Sequence, residues 1–376
     1  MDLELTEEQT MLRDTVRELL HRFYDGEALV QVTSNTDHAF NPAAWKQLAD
    51  LGVLGLTISE EDGGVGAGVE EAMLVQGELG RALAPEPVLD AVVIPAELIK
   101  AAASAEQRAR LLPSLADGTK LMAFAHAEPG IRWPSTEITT TATPQGDGFV
   151  LAGVKNPVLR GDVADEVIVS AVLPDGTVGL FLVAADAAGV RRQSYRTFDG
   201  RRGAQFNFEQ AVAEPLGSNA DAASVIAAAL NYAQVALSVE SVGALETTLA
   251  FTVEYLKTRK QFGVTLSKFQ VLTQRAADLY VALEIARSIS LYATASLAEG
   301  ALDPVVASRT RLQVGEAATY IGQEAIQLHG GIGVTAEYPV SHYVARLTAI
   351  GQTLGGTHEH RRVLAERVGS YDLAEL

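Results

Sequence analysis

Three successive zones of different residue periodicity divide the chain, and their order constrains the fold more than any single motif. Residues 1–120 carry apolar side chains at helical spacing, and residues 121–217 alternate short β-rich runs with turns. Residues 218–376 return to long, Ala-rich segments of helical periodicity, which predict a four-helix bundle. The order therefore predicts an α+β protein with an N-terminal α-helical domain, a middle β-barrel or sandwich domain and a C-terminal bundle.

Local signals place several elements within these zones. Thr6, with Gln9 three residues later, has the form of a capping box, and Asn41-Pro42 has the form of a helix start. Pro174-Asp175-Gly176 predicts a hairpin turn. We expect further helices over Glu70–Leu83, Pro95–Leu115, Asp221–Lys257, Ser267–Glu299, Pro304–Leu328 and Thr357–Val368. We expect short strands over Leu121–Ala127, Glu137–Thr143, Phe149–Val154, Glu166–Leu173, Val178–Val183 and Ala204–Phe208.

Composition excludes several classes of function. Lys and Arg number 29 and Asp and Glu number 47, so the formal net charge is −18, which disfavours binding to nucleic acid or to anionic membranes. The chain has no cysteine, which excludes disulfides, thiolate catalysis and Cys-ligated metal sites and fits a cytoplasmic protein. The most apolar stretch, Ala222–Val253, is interrupted by polar residues and predicts a buried helix rather than a membrane span.

Seven motifs occur in one order along nearly the whole chain. They are Trp45–Leu56, Glu60–Gly64, Glu78–Pro85, Leu112–Gly118, Arg259–Gly263, Lys268–Gln270 and Gln327–Gly333. Together they resemble the acyl-CoA dehydrogenase family. The resemblance implies FAD-dependent α,β-dehydrogenation of an acyl-CoA thioester, in which a Glu carboxylate removes the α-proton and the flavin accepts the β-hydride. It also implies that the C-terminal bundle builds a tetramer.

The catalytic base that the resemblance implies is missing. Where many family members place the Glu before a Gly-Thr, this sequence has Gly355, in Leu354-Gly355-Gly356-Thr357. The second family position, on the long helix about 26 residues before the motif arginine, corresponds to Ala233. Glu240 is the nearest acid on that helix, and at seven residues it lies roughly 10 Å further along the axis. We expect Glu240 to be a structural carboxylate, with a displaced base as the alternative.

The residues that would bind the flavin ring of this subunit's own FAD, here called the flavin seat, differ from the family pattern at four positions. The family's Thr-Glu-Pro-Gly-x-Gly-Ser-Asp corresponds to Ala127–Pro134, so Ala127 and Trp133 replace two hydroxyl residues. The family's Trp-Ile-Thr corresponds to Pro157-Val158-Leu159, which removes the ring and another hydroxyl. Because these side chains cannot donate hydrogen bonds to a flavin ring, the resemblance predicts that this subunit does not seat one.

In this family, C-terminal residues of each subunit also contact the FAD of a neighbouring subunit. The residues that make this contact, here called the donated half-site, are retained. We predict that the cofactor-binding residues are Arg259, which offers a charged fork to the pyrophosphate, with Phe262, Gln327, Gly330 and Gly331. Taken singly, Arg259 could form a surface salt bridge and the glycines could end a helix.

Loss of the base and of the flavin seat, with retention of the donated half-site, predicts a non-catalytic subunit of an α2β2 heterotetramer. Its partner would be a homologous catalytic subunit that binds most of the acyl-CoA, and the FAD would be shared across the interface. By resemblance to the acyl-CoA dehydrogenases of actinobacterial sterol side-chain breakdown, the acyl group could be a steroid side chain, with electron-transfer flavoprotein as the acceptor.

Two alternatives stay open: a self-sufficient homotetrameric dehydrogenase that uses Glu240 or another carboxylate, and a flavin-free scaffold on the same fold. A flavin monooxygenase of this fold would also lack the Glu, but the lost flavin contacts argue against it. No metal is expected at His358-Glu359-His360, because residues two apart do not share a helix face. The basic pairs Arg191-Arg192 and Arg201-Arg202 are interpreted as a solvated loop, with a CoA phosphate contact as the alternative. We interpret Glu128 and Arg132 as an ion pair that holds their loop.

Overall fold

The structure, a computed structural model, describes residues 5–24, 38–146, 148–218 and 221–370. Five helices in these residues precede the sheet: α1 (Glu7–Phe23), α2 (Pro42–Asp50), α3 (Val69–Ala82), α4 (Ile94–Ala102) and α5 (Ala105–Ala116). Single helical turns cover Val53–Gly55, Glu60–Asp62 and, directly before α4, Leu89–Val93.

The helix starts that the sequence predicts are present. The Thr6 hydroxyl accepts a hydrogen bond from the Gln9 amide at 3.1 Å, and the Gln9 side chain accepts one from the Thr6 amide. The Asn41 side chain accepts from the Ala43 amide at the start of α2. The single helix expected over Pro95–Leu115 is wrong, because Ser104 forms a second capping box and begins α5 there.

The middle of the chain forms one sheet of seven strands in the described residues. They are β1 (Met122–Ala125), β2 (Thr141–Gln145), β3 (Gly148–Leu159), β4 (Glu166–Val172), β5 (Val178–Ala184), β6 (Val190–Arg196) and β7 (Arg202–Pro215). The pairings β4–β2–β3–β7–β5 return from β5 to β4, so the sheet closes on itself as a small barrel around an apolar core. The turn at Pro174–Gly176 joins β4 to β5 as expected.

One prediction about this region is wrong in part and another in its bounds. Arg191 and Arg192 belong to β6 and Arg202 begins β7, and these strands pair as an antiparallel hairpin, so the three residues do not lie in a loop. Arg201 lies in the connection between the two strands, as expected. The sequence pattern does not predict β6, because this edge strand is mostly exposed and lacks alternating apolar residues. The strand expected over Glu137–Thr143 begins only at Thr141.

Long helices follow the sheet: α6 (Ala223–Thr258), α7 (Gln270–Ala298) and α8 (Pro304–His329). A short hairpin of β8 (Lys260–Gln261) and β9 (Val264–Thr265) separates α6 from α7, with a helical turn at Leu266–Lys268. After α8 come a turn at Gly330–Val334, α9 (Pro339–Gln352), α10 (Thr357–Glu366) and a turn at Val368–Ser370. The sequence predicted every helix here except α9.

Within the described residues, α6 is the one helix long and apolar enough to cross a membrane by length and composition. Its most apolar window is 72% buried inside the protein, as expected for a core helix of the bundle.

The chain forms two compact units. One contains α1, Met73–Ala84 and the described residues from 234 to 370, with the apolar core of the bundle. The other contains Pro85–Ala233 and the described residues from 38 to 72. The division into three domains at residues 120 and 217 stays a prediction.

Helices α3 and α6 cross at very short range inside the first unit. A Cβ atom on Gly80 would lie 2.0 Å from the carbonyl oxygen of Glu240, and one on Gly243 would lie 2.1 Å from that of Gly77. Only glycine permits this approach of two backbones. The crossing brings the side chain of Gln76 next to that of Glu240.

Candidate functional site

Neither position at which the resemblance places the base carries an acid or faces solvent. Gly355 is buried, with φ +90°, in the connection between α9 and α10. Ala233 is fully buried on α6.

Two buried basic side chains hold the connection that contains Gly355. Arg311, on α8, donates to the carbonyl oxygens of Ile350 at 2.6 Å and Thr353 at 2.8 Å. The His360 ring bonds the Leu354 carbonyl oxygen at 3.0 Å. Burial, and then the nearby Arg311 charge, lower the pKa of His360 to about 4, so its ring is neutral at pH 7. The loop is therefore fixed from the interior.

The carboxylate of Glu240 is fully engaged inside the first unit. It is 1% exposed, its Oε1 accepts a hydrogen bond from Arg346 Nε at 2.7 Å, and its Oε2 accepts one from Gln76 Nε2 at 2.9 Å. Burial, followed by repulsion from Arg346, lowers the pKa of Arg311 to about 10, and the Glu240 charge opposes that shift. Glu240 thus balances the buried charge of Arg311 and the largely buried charge of Arg346.

A buried ion pair supports the loop that follows β1. Lys155 Nζ donates to Glu128 Oε1 at 2.7 Å and to the His126 carbonyl oxygen at 3.0 Å. Glu128 also accepts from the amides of Thr139 at 2.8 Å and Thr140 at 3.0 Å. Burial would raise the pKa of Glu128, but Lys155 and the threonines outweigh it and lower that pKa to about 2.

These contacts correct the expected pairing of Glu128 with Arg132: the partner of Glu128 is Lys155, and Arg132 is exposed. Lys155 lies on β3 and is fully buried, and burial lowers its pKa to about 8 against the opposing effect of Glu128.

The positions that depart from the family lie on this supported backbone. Ala127 and Trp133 are half-buried in the loop, and the Ala127 carbonyl oxygen accepts from the Asn156 amide at 2.8 Å. Val158 is fully buried in the barrel core, and Leu159 beside it is half-buried at the end of β3. Ala127 and Leu159 stand where the family has hydroxyl groups, and neither side chain can donate a hydrogen bond.

The hairpin between α6 and α7 exposes two of the residues expected to contact a cofactor. Arg259 is exposed, and its side chain forms no hydrogen bond or ion pair with any residue that the structure describes. Phe262 is 91% exposed and has φ +52°, and Gly263 has φ +82°, so the two form the left-handed turn of the hairpin. An aromatic residue is strained in this conformation, and neither core packing nor turn preference explains it.

The other three residues expected to contact a cofactor lie at the end of α8. Gln327, Gly330 and Gly331 all face solvent. Gly330 ends the helix with φ +67°, as the helix-stop interpretation requires, whereas a Cβ on Gly331 would meet nothing within 4 Å. The packing of this chain does not require glycine at 331. A ring contact of 4.6 Å between Tyr255 on α6 and His329 on α8 places the two exposed segments beside each other.

The remaining candidates do not form a site with one another. His360 is turned inward, while His358 is exposed, and the described residues contain no group of three or more His, Cys, Asp or Glu that could hold a metal. Arg192 donates to the carbonyl oxygens of Gly161 and Ala164 at 3.3 and 2.9 Å. Sequence reasoning missed the burial of Lys155 and Arg311, because Glu128 lies 27 residues from the first and Ile350 lies 39 residues from the second. It also missed the burial of His360, although its bond to Leu354 spans only six residues.

Comparison with known proteins identifies the family. The model of the acyl-CoA dehydrogenase N-terminal domain matches residues 6–119, and that of the C-terminal domain matches residues 223–369. The acyl-CoA dehydrogenase IpdE2 of Mycobacterium tuberculosis is 32% identical over 370 residues, which cover 96% of this chain and 98% of that protein.

Two solved heteromeric enzymes share the fold over nearly the whole chain. A variant of the Tcur3481-Tcur3483 steroid ACAD has a TM-score of 0.89 at 31% identity, with 97% of this chain and 98% of that chain covered. The ChsE4-ChsE5 complex from Mycobacterium tuberculosis has a TM-score of 0.90 at 26% identity, with coverage of 99% and 100%. The chain therefore belongs to the acyl-CoA dehydrogenase family of FAD-dependent oxidoreductases.

Proposed function

We propose that this protein is a non-catalytic subunit of a heteromeric acyl-CoA dehydrogenase. It lacks a carboxylate at both expected base positions, Gly355 and Ala233, and it completes the FAD site of a homologous catalytic partner. The Tcur3481-Tcur3483 enzyme and the ChsE4-ChsE5 complex are both heteromers, which supports a partner of the same fold. The first is a steroid ACAD, which supports a bulky acyl group such as a steroid side chain.

The observation that carries the proposal is the free, exposed state of the donated half-site. Arg259 is unpaired among the described residues, although the chain has an excess of 18 negative charges to offer it partners. The ring of Phe262 is 91% exposed on a strained turn and meets the ring of Phe269 only edge-on, and Gly331 leaves open space beside the backbone. The contacts within this chain do not explain the unpaired charge of Arg259, the strained and exposed Phe262 or the glycine at 331. Contact with a dinucleotide that a neighbouring subunit holds would explain all three.

The residues present fit one half of an FAD site and not the other. A guanidinium fork suits the pyrophosphate, and an exposed backbone at Gly330-Gly331 lets the cofactor approach closely. The loop after β1 has no such fit to a flavin ring, because Ala127 and Leu159 lack the donors and Trp133 adds bulk. When bound, FAD supplies the hydride acceptor for α,β-dehydrogenation.

The other members of the proposed system follow from this division. The partner supplies the base and the flavin seat and binds most of the acyl-CoA, and electron-transfer flavoprotein accepts the electrons. The proposed location is the cytoplasm. The contacts of Glu240 favour this proposal over a self-sufficient enzyme, since a base must reach the substrate and Glu240 is buried against Arg346 and Gln76.

Visible absorption tests the proposal. The protein is purified alone and after co-expression with a homologous partner subunit, and flavin is quantified per chain. We expect a colourless protein alone and a yellow complex with about one FAD per pair of chains. A yellow, active protein on its own would refute the proposal.

A matched pair of variants then tests the half-site. We expect Arg259→Ala to deplete FAD from the complex. Arg309→Ala changes another exposed arginine, on α8, and should leave FAD content unchanged. Full FAD retention by Arg259→Ala would favour the flavin-free scaffold alternative.

A further inference from the structure

Three aromatic rings join the two exposed segments of the half-site. The His329 ring lies 4.6 Å from Tyr255 and 4.9 Å from Tyr338, measured between centroids, and Tyr255 and Tyr338 are 6.1 Å apart. We call Tyr255, His329 and Tyr338 the ring stack; their planes meet at angles of 32°, 51° and 70°, so the contacts are tilted or edge-to-face. His329 is buried at its centre, whereas Gly330 and Gly331, which follow it, are exposed.

Each ring belongs to a different part of the backbone that carries the half-site. Tyr255 lies one helical turn before Arg259, and its carbonyl oxygen accepts from the Arg259 amide at 2.9 Å. His329 directly precedes Gly330-Gly331. Tyr338 closes the connection that leaves His329, and it is the N-cap of α9. The rings therefore fix both ends of residues 330–337 and bind them to the end of α6.

The orientation of His329 is also fixed by a hydrogen bond. Its Nδ1 lies 2.7 Å from the Ala325 carbonyl oxygen, so Nδ1 carries the proton. Burial lowers the pKa of His329, and the ring is neutral at pH 7. The ring packs as an uncharged aromatic group between two tyrosines.

We propose that His329 is the positioning residue of the half-site: through the ring stack it sets Arg259 and the Gly330-Gly331 backbone at the spacing needed to hold one dinucleotide. This inference rests on the proposed function and extends it to a residue that does not itself contact FAD. Supporting side chains of this kind matter because a binding constellation tolerates displacements of only about 0.5 Å.

The test uses the complex with the homologous partner subunit, from which FAD is removed and then added back in a titration. We expect His329→Ala to weaken FAD binding about tenfold, since it removes both ring contacts and the hydrogen bond. His329→Phe keeps a ring between Tyr255 and Tyr338 and should remain within about threefold of the unmodified complex. Tyr338→Ala should resemble His329→Ala.

Tyr343→Phe is the control for a merely structural effect. Tyr343 lies in the same unit, outside the ring stack, and its hydroxyl donates to the Arg81 carbonyl oxygen at 2.6 Å. This variant should lower the melting temperature without changing FAD affinity. His329→Ala should lower FAD affinity well beyond any variant with an equal loss of melting temperature.

The outcomes separate the two proposals. The positioning role is overturned if His329→Ala leaves FAD affinity unchanged, or if His329→Phe weakens it as much as His329→Ala does. In either case Arg259→Ala would still release FAD, so the proposed function would stand. Retention of FAD by Arg259→Ala instead overturns the proposed function on which the inference rests.

Discussion

Replacement of Glu240 by glutamine distinguishes a structural carboxylate from a displaced catalytic base. Glutamine keeps the shape and the hydrogen-bonding atoms but removes the charge that balances Arg346 and, nearby, Arg311. The Arg346 side chain is 11% exposed, so water replaces little of the lost interaction. Removing one partner of a buried ion pair costs about 3–5 kcal/mol, and the residual exposure of Arg346 favours the lower end.

A loss of about 3 kcal/mol corresponds to a fall in melting temperature of roughly 6–12 °C for a unit of 150–250 residues. Differential scanning calorimetry of the purified chain measures it. The matched variant is Glu246→Gln, because Glu246 pairs with Arg81 and Arg287, whose side chains are 35% and 36% exposed. Its cost should be about 1 kcal/mol or less. Unchanged melting of Glu240→Gln, together with abolished dehydrogenation in the partner complex, would refute the structural role and support the displaced base.

Two further changes test the packing and the buried histidines. Gly80→Ala would place a methyl group 2.0 Å from the Glu240 carbonyl oxygen and should destabilise the protein by about 1–3 kcal/mol, whereas Gly351→Ala, with nothing within 4 Å, should stabilise it by up to about 1 kcal/mol. Equal melting temperatures for the two variants would contradict the close crossing. Burial lowers the pKa of His126 and of His360 to about 4 from 6.5, so the unfolded chain takes up these protons first and stability must fall as pH drops from 6.5 towards 4. Each histidine contributes up to about 3 kcal/mol to this loss, and a melting temperature that stays constant over that range would exclude it.

The sequence predicted those parts of the fold that depend on local signals. The capping residues Thr6 and Asn41 and the turn at Pro174–Gly176 act within a few residues, and they lie where their motifs indicated. The break before α5 had a similar signal, because Ser104 and Gln107 form the same capping pattern, but the apolar periodicity continued across it.

Other features escaped the sequence because distant residues determine them. Arg311 is a charged residue in a core position, and the carbonyl oxygens that accept its hydrogen bonds belong to Ile350, Thr353 and Gly355, 39 to 44 residues later. Lys155 on β3 depends in the same way on Glu128. The arginine-rich strand β6 forms because β7 offers it a free edge, although its side chains carry no apolar alternation.

The Lys155–Glu128 pair supports the backbone of the loop after β1 from the interior of the protein. Its hydrogen bonds go to Thr139, Thr140, His126 and Ser170, and the positions that differ from the family take no part in them. Substitutions can therefore accumulate on the outer surface of this loop while the backbone keeps its course. The outer surface of this loop can thus change what it binds at little cost to folding.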